Sequence, residues 1–225
     1  MRSSNSDVRL VCFDLGRVLV RICDNWQQAG QVAKLPGPLP KLTDDLRANL
    51  REVVNQSEVG KISLDEFCQR SGKLFGVEPR HMRAVSDIYL QGCYPGVGEL
   101  LAELTRAGFQ TACLSNTNDN HWRIMFEDGG AEYAPLGALN HRFGSQLIGA
   151  RKPDPKIYAH VEHTVDLSGS QIIFFDDLAD NIEAARQRGW RAELIENDGN
   201  PMRQVRKQLM SAGVLTSSPL PPGEG

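Results

Sequence analysis

Four short segments of this chain carry side chains that could do chemistry together: Phe13-Asp14-Leu15-Gly16, Leu114-Ser115-Asn116-Thr117-Asn118, Arg151-Lys152-Pro153-Asp154-Pro155 and Phe175-Asp176-Asp177-Leu178-Ala179-Asp180-Asn181. Asp14 offers a carboxylate nucleophile, Ser115 and Asn116 a hydroxyl and backbone amides, Lys152 a cation, and Asp176-Asp177 an acidic pair. A phosphate monoester resists attack because it is already negative, so a carboxylate nucleophile needs positive charge beside it. Asp14 and a phosphate of charge about −2 are nearly balanced by Lys152 and one divalent metal. Adjacent carboxylates at the end of a buried strand repel and lose solvation unless a cation joins them, and oxygen ligands of this kind suit Mg2+. Displacement at phosphorus would leave a phosphate on Asp14 for water to remove.

Each of these residues also has a plainer reading. A carboxylate at a strand end often caps the next turn. Ser115 and Asn116 could form a turn or cap a helix beginning near Asp119. Surface lysines are usually just solvated, but the prolines flanking Lys152 stiffen its segment and favour a positioned charge that suits phosphate. Asp180 and Asn181 either orient metal-bound water or cap the helix that follows. His160 and His163 share a helix face without an acidic partner and read as solvated surface, and His81, His121 and His141 carry no stronger signal.

The elements that must hold these groups are legible from periodicity. Leu10-Val11-Cys12-Phe13 is an apolar run that stops at Asp14, the pattern of a strand buried on both faces of a parallel sheet. Phe109 to Leu114, Gln171 to Phe175 and Arg191 to Ile195 repeat it. Helical spacing covers Val97 to Ala107, Pro155 to Val165 and Ala179 to Arg188, with Gly108 and Gly189 as stops. Strand alternating with helix predicts a doubly wound α/β sheet, with ligands beyond the carboxyl ends of its strands. Between the first strand and Val97 the texture is helical: Asp44 to Val54 and Leu64 to Phe75 are amphipathic, Ser63 to Glu66 reads as a capping box, and Pro36, Pro38 and Pro40 separate two helices. The expected organisation is a discontinuous core, residues 1–19 and 95–215, a small helical insert, 20–94, and a Pro-, Ser- and Gly-rich disordered tail, 216–225.

The chain has 225 residues, 40% of them hydrophobic and 24% charged, with a net charge of −3, ordinary for a globular protein and unsuited to sequence-independent nucleic-acid binding. Small phosphorylated metabolites fit better as partners. No run is long and apolar enough for a membrane span or a signal-peptide core, so the expected location is cytoplasmic. The five cysteines show no C-x-x-C spacing, and neither a disulfide framework nor a zinc site is expected.

In order and spacing the four segments resemble the motifs of the haloacid dehalogenase-like (HAD) superfamily, over roughly residues 8 to 210. The resemblance implies a Mg2+-dependent phosphohydrolase working through an aspartyl-phosphate on Asp14, with a helical cap inserted after the first strand. It also implies that Lys152, in its K-P dipeptide, rather than Arg151, is the phosphate-site cation. By the same likeness, Asp177 is the main metal ligand, joined by Asp14 and the backbone carbonyl of Gly16, with Asp176 as a further or supporting ligand. D-L-G-x-V, L-S-N-T-N and F-F-D-D-x-A-D-N are similar to a group that includes bacterial sugar 1-phosphate phosphatases, α-D-glucose 1-phosphate among their substrates. One departure stands out: the position two after the nucleophile, usually an acid/base aspartate, is Gly16, and Arg17 stands where Gly is common. A metal-independent haloacid dehalogenase is one rival reading, disfavoured by Asp176-Asp177. A catalytically silent binding protein is the other, suggested by Gly16.

Overall fold

The computed structural model describes residues 7–197 and 200–216, so the tail expected to be disordered lies, apart from residue 216, outside the described residues. A five-stranded parallel sheet forms its centre: β1 (Leu10–Phe13), β4 (Gln110–Ser115), β5 (His141–Gly144), β6 (Ile172–Asp176) and β7 (Arg191–Leu194), in the order β5-β4-β1-β6-β7. This is the doubly wound α/β fold expected from the sequence. The apolar runs are continuous because alternate residues serve opposite layers. Val11 and Phe13 pack with Leu100 and Leu104 of α5 (Val97–Arg106) and with Val205 and Leu209 of α10 (Pro201–Ser211). Leu10 and Cys12 pack with Tyr158 and Val161 of α8 (Pro155–Val165) and with Ile182 of α9 (Ala179–Gln187). Each of these aliphatic side chains is essentially buried, and truncating one such as Leu100 to alanine costs about 2–5 kcal/mol.

The helix ends follow from local chemistry. Gly108 and Gly189, with φ of 83° and 82°, follow α5 and α9 in the left-handed conformation that only glycine adopts cheaply. Pro155 opens α8, and the Asp154 side chain caps it by accepting from Lys156 N–H at 2.9 Å.

From Val20 onward a second assembly forms: β2 (Val20–Ile22) pairs antiparallel with β3 (Leu90–Cys93), and between them run α1 (Trp26–Val32), α2 (Asp44–Glu58), α3 (Leu64–Phe75) and α4 (Pro79–Ile88). These helices share their own apolar cluster, including Leu50, Val53, Phe67, Phe75, Met82 and Val85. Ser63 Oγ accepts from Glu66 N–H at 3.2 Å, one half of the expected capping box. The sequence reading ended α2 at Val54, one turn short, because Asn55 to Glu58 are polar; Ser57 is nonetheless buried.

Side chains of Arg151, Asn120 and His121 are among the groups that tie this assembly to the core. Arg151 donates to Glu58 Oε2 from Nε and Nη2, both at 2.8 Å. Asn120 Nδ2, in α6 (Asp119–Phe126), donates to Asp87 Oδ1 at 2.9 Å and to Ser86 Oγ at 3.1 Å. His121 meets the Ser86 carbonyl at 3.0 Å through Nε2.

Candidate active site

Chain order runs from β1 outward through β4 and β5, then crosses to β6 and β7 on the other side, so the loops leaving β1, β4 and β6 converge at one end of the sheet. Such a switch point is where open α/β sheets bind ligands. Asp14 follows β1 and donates its backbone N–H to the Phe175 carbonyl at 2.7 Å, Ser115 ends β4, and Asp176 ends β6.

Lys152 joins all three strand ends. Its Nζ donates to Asp14 Oδ1 at 2.8 Å, Asp176 Oδ2 at 2.6 Å and the Leu114 carbonyl at 2.7 Å, and the side chain is 1% exposed. Burial acts to lower the Lys152 pKa, but the Asp14 and Asp176 carboxylates outweigh it and raise it, so the side chain is a permanent cation. The backbone carrying it is clamped by Asn116, which donates to the Lys152 carbonyl at 2.9 Å and accepts from its N–H at 2.8 Å. Asn116 thus serves the lysine with its side chain. The helix near Asp119 is capped by Asn118 and not by Ser115 or Asn116, which frees the Ser115 hydroxyl from that task.

Asp14, Asp176 and Asp177 bring one oxygen each within 4.8 Å of one another. Asp176 is fully buried and heavily committed: besides Lys152, it accepts from Asn181 Nδ2 at 2.9 and 3.0 Å and from Leu178 N–H at 2.8 Å. Asp177 is more open, and meets Arg17 Nη1 at 3.7 Å. Burial first, then the Asp176 and Asp177 charges, push Asp14 up to about 7 in spite of Lys152. Burial and Asp176 likewise raise Asp177. Three carboxylates against the cations Lys152 and Arg17 leave one negative charge. The donor set is all oxygen, and the site is short of positive charge, so it fits a hard divalent cation such as Mg2+. Asp14 and Asp177 have oxygens to offer it, and Asp176 supports from Lys152.

Two readings are settled by contacts. Asn181 neither caps its helix nor faces open solvent; it fixes the Asp176 carboxylate, while Asp180 is exposed. His121 is not solvated surface. It stands in a wall between core and helices, hydrogen-bonded on one side and 3.4 Å from Asn118 on the other, and burial pushes it down to about 4, so it is neutral at pH 7. No local signal distinguished it from the other histidines.

Gly16 is outside the left-handed region, whereas Arg17 lies within it at φ 59°, which explains why Gly suits position 17. A Cβ at position 16 would meet only Ile22, at 3.6 Å. A cavity of about 220 Å³ is lined by Leu15 and Gly16, next in chain to Asp14, by Ser115 to Asn118 at the end of β4, and by side chains of α1 to α4, Glu58 among them. Sequence reasoning missed Glu58 in this lining, because it lies in no readable motif, and gave no role to Thr117, although it lies within the Leu114 to Asn118 segment.

Comparison with known proteins agrees with this geometry. Residues 8–189 match the haloacid dehalogenase-like hydrolase family. A phosphatase of Mycobacterium tuberculosis is 33% identical over 128 residues, 56% of this chain and 57% of that protein. The chain spans about half the length, or less, of the first curated relatives it matches. A HAD family enzyme from Bacteroides thetaiotaomicron, solved with magnesium and inorganic phosphate, superposes with a TM-score of 0.66 at 19% identity, over 86% of this chain and 96% of that one. A dehalogenase superposes at 0.62 and 20% identity, over 86% and 87%, so the fold is shared with a dehalogenase as well. No helix among the described residues is long and apolar enough to cross a membrane.

Proposed function

The chain belongs to the haloacid dehalogenase-like hydrolases, and on that premise we propose that it is a Mg2+-dependent phosphohydrolase of a small phosphate ester, using Asp14 as nucleophile. The observation that carries this reading is the Lys152 ammonium shared by Asp14 and Asp176 with Asp177 alongside. An aspartate ester alone needs no such acidic excess; a bound cation does. When bound by Asp14, Asp177 and the Gly16 carbonyl, Mg2+ would supply charge to offset a phosphate dianion. Lys152 orients Asp14 and favours its ionised form against burial and the other carboxylates, and would add a second positive charge beside the phosphate. The Asp14 carboxylate forms a bond to phosphorus while the ester oxygen departs with the bond pair. Water then attacks the aspartyl-phosphate, releasing phosphate and restoring the carboxylate. The Ser115 hydroxyl and the Asn116 backbone N–H would donate to phosphate oxygens. The four helices beyond β2 act as a cap, selecting the leaving group.

Motif likeness makes α-D-glucose 1-phosphate the first natural ester to assay. The decisive experiment measures phosphate release from para-nitrophenyl phosphate with Mg2+, then with excess EDTA, then for Asp14→Asn. Loss in both perturbations is expected. Turnover indifferent to both refutes the mechanism, and metal-free halide release from 2-haloacids would establish a dehalogenase instead.

A further inference from the structure

We propose that the cavity lined by Gly16 and Ser115 receives the leaving group of a phosphate monoester whose organic part is compact and largely apolar, a short aliphatic or single-ring alcohol. This rests on the phosphohydrolase reading and names its substrate class. The apolar lining of the cavity includes Ile22, Trp26, Val54, Phe67, Tyr89 and Leu90. They are set firmly, since Trp26 packs against Phe67, Phe75 and Tyr89 with ring centroids 5.4 to 6.3 Å apart. A polyhydroxylated sugar ring buried there would lose its water and find few partners, a penalty that grows with each unpaired hydroxyl.

The polar groups of the lining point the same way. Arg151 already engages Glu58 through two nitrogens, and Glu58 is the one carboxylate in the wall among the described residues. With Arg151 so engaged, the lining offers, among the described residues, no free cation to a second anionic group, such as that of a bisphosphate. His121 and Ser86 are bonded to each other's elements. Asn116 and Asn118 are committed to Lys152 and His121, whereas the Thr117 hydroxyl is not: Ser145 holds the Thr117 backbone N–H and carbonyl, while Oγ1 is buried without a hydrogen-bond partner among the described residues. One hydrogen-bonding atom on the ligand could meet it. Pockets for drug-sized ligands run to about 300–1,000 Å³, so a cavity of about 220 Å³ suits a group of one ring or a short chain.

The test is calorimetric titration of the full chain with Mg2+ against non-hydrolysable phosphonates, so that it reads binding and not turnover. Methyl-, butyl-, hexyl- and benzylphosphonate form the series, with a glucose-derived phosphonate as the polar comparison. Affinity should rise about three- to fourfold per methylene until the cavity is filled, with benzyl above methyl and the sugar analogue weakest. Val54→Thr, which keeps the shape of the wall and adds a hydroxyl, should flatten the rise. A flat series, or tighter binding of the sugar analogue than of benzylphosphonate, overturns the inference. Either can happen while para-nitrophenyl phosphate is still hydrolysed with Mg2+, so failure here is separable from failure of the phosphohydrolase reading.

Discussion

Replacing Asp14 by asparagine should abolish turnover and, in the absence of metal, make the protein more stable at alkaline pH. Burial and two neighbouring carboxylates push Asp14 from its ordinary value near 3.8 up to about 7. At about 1.36 kcal/mol per unit, a shift of roughly three units corresponds to about 4 kcal/mol. The folded state holds this proton more tightly than the unfolded chain does. The associated stability is therefore fully present below about pH 4 and is lost as pH rises towards about 7. Asparagine keeps an oxygen for Lys152 Nζ, now 2.8 Å from Asp14 Oδ1, but has no charge to acquire. In EDTA, the difference between variant and wild type should thus widen by up to about 4 kcal/mol in the variant's favour from pH 4 to pH 8. Urea unfolding at four pH values across that range measures it. Mg2+ at about a hundred times its Kd should return about 2.7 kcal/mol to the wild type at pH 8, and less to the variant. A gap that does not change with pH would refute the account of Asp14 as a carboxylate held short of cations.

Lys152→Ala should slow turnover at least about tenfold and destabilise the fold by about 3–5 kcal/mol, because Asp14 and Asp176 lose a buried partner. Arg151→Ala should affect kcat on acetyl phosphate much less, since its partner is Glu58; equal losses in the two variants would mean the wrong cation was assigned. Arg17→Gly should lower the Mg2+ concentration for half-saturation, as it removes a cation facing Asp177, and relieve a left-handed backbone position worth about 1 kcal/mol; weaker Mg2+ binding would contradict this. Gly16→Asp should raise kcat on alkyl phosphates, by up to about 10²–10⁴-fold, where proton donation limits the rate; a folded variant with no gain would show that another acid fills the role.

The sheet was legible where burial on both faces produces an unbroken apolar run, as at Leu10 to Phe13 and Ile172 to Phe175. β5 was not, because His141 and Arg142 on this edge strand break the apolar pattern. Short α1 was read only as a helix ahead of Pro36, without bounds, and α4 was unread. Among site residues, Asp14, Ser115, Lys152 and the acidic pair announced themselves by motif, but their division of labour did not. Sequence could not say that Asn116 would clamp the Lys152 backbone or that Asn181 would hold Asp176, because an amide's partner depends on which loop the fold brings opposite it. Glu58 and His121 had no motif at all, since they matter only where two separately built layers meet.

The glycine at position 16 and the apolar cavity are consequences of one choice. A side chain there would project towards Ile22, in the same wall as Trp26 and Tyr89. A carboxyl group at that point could give a proton to a departing alkoxide, but it would also set an ionisable group against apolar surface, where it needs its own partner. Glycine keeps the wall apolar and forgoes the proton. Esters of aryl alcohols depart as stabilised anions and need that proton least, and they are also the esters an apolar wall binds best. Chemistry and lining therefore select the same compounds. The ratio of kcat/KM for phenyl phosphate to that for glycerol phosphate is accordingly more telling than either rate. The cavity and the missing acid both raise it in the wild type, and Gly16→Asp removes both contributions together.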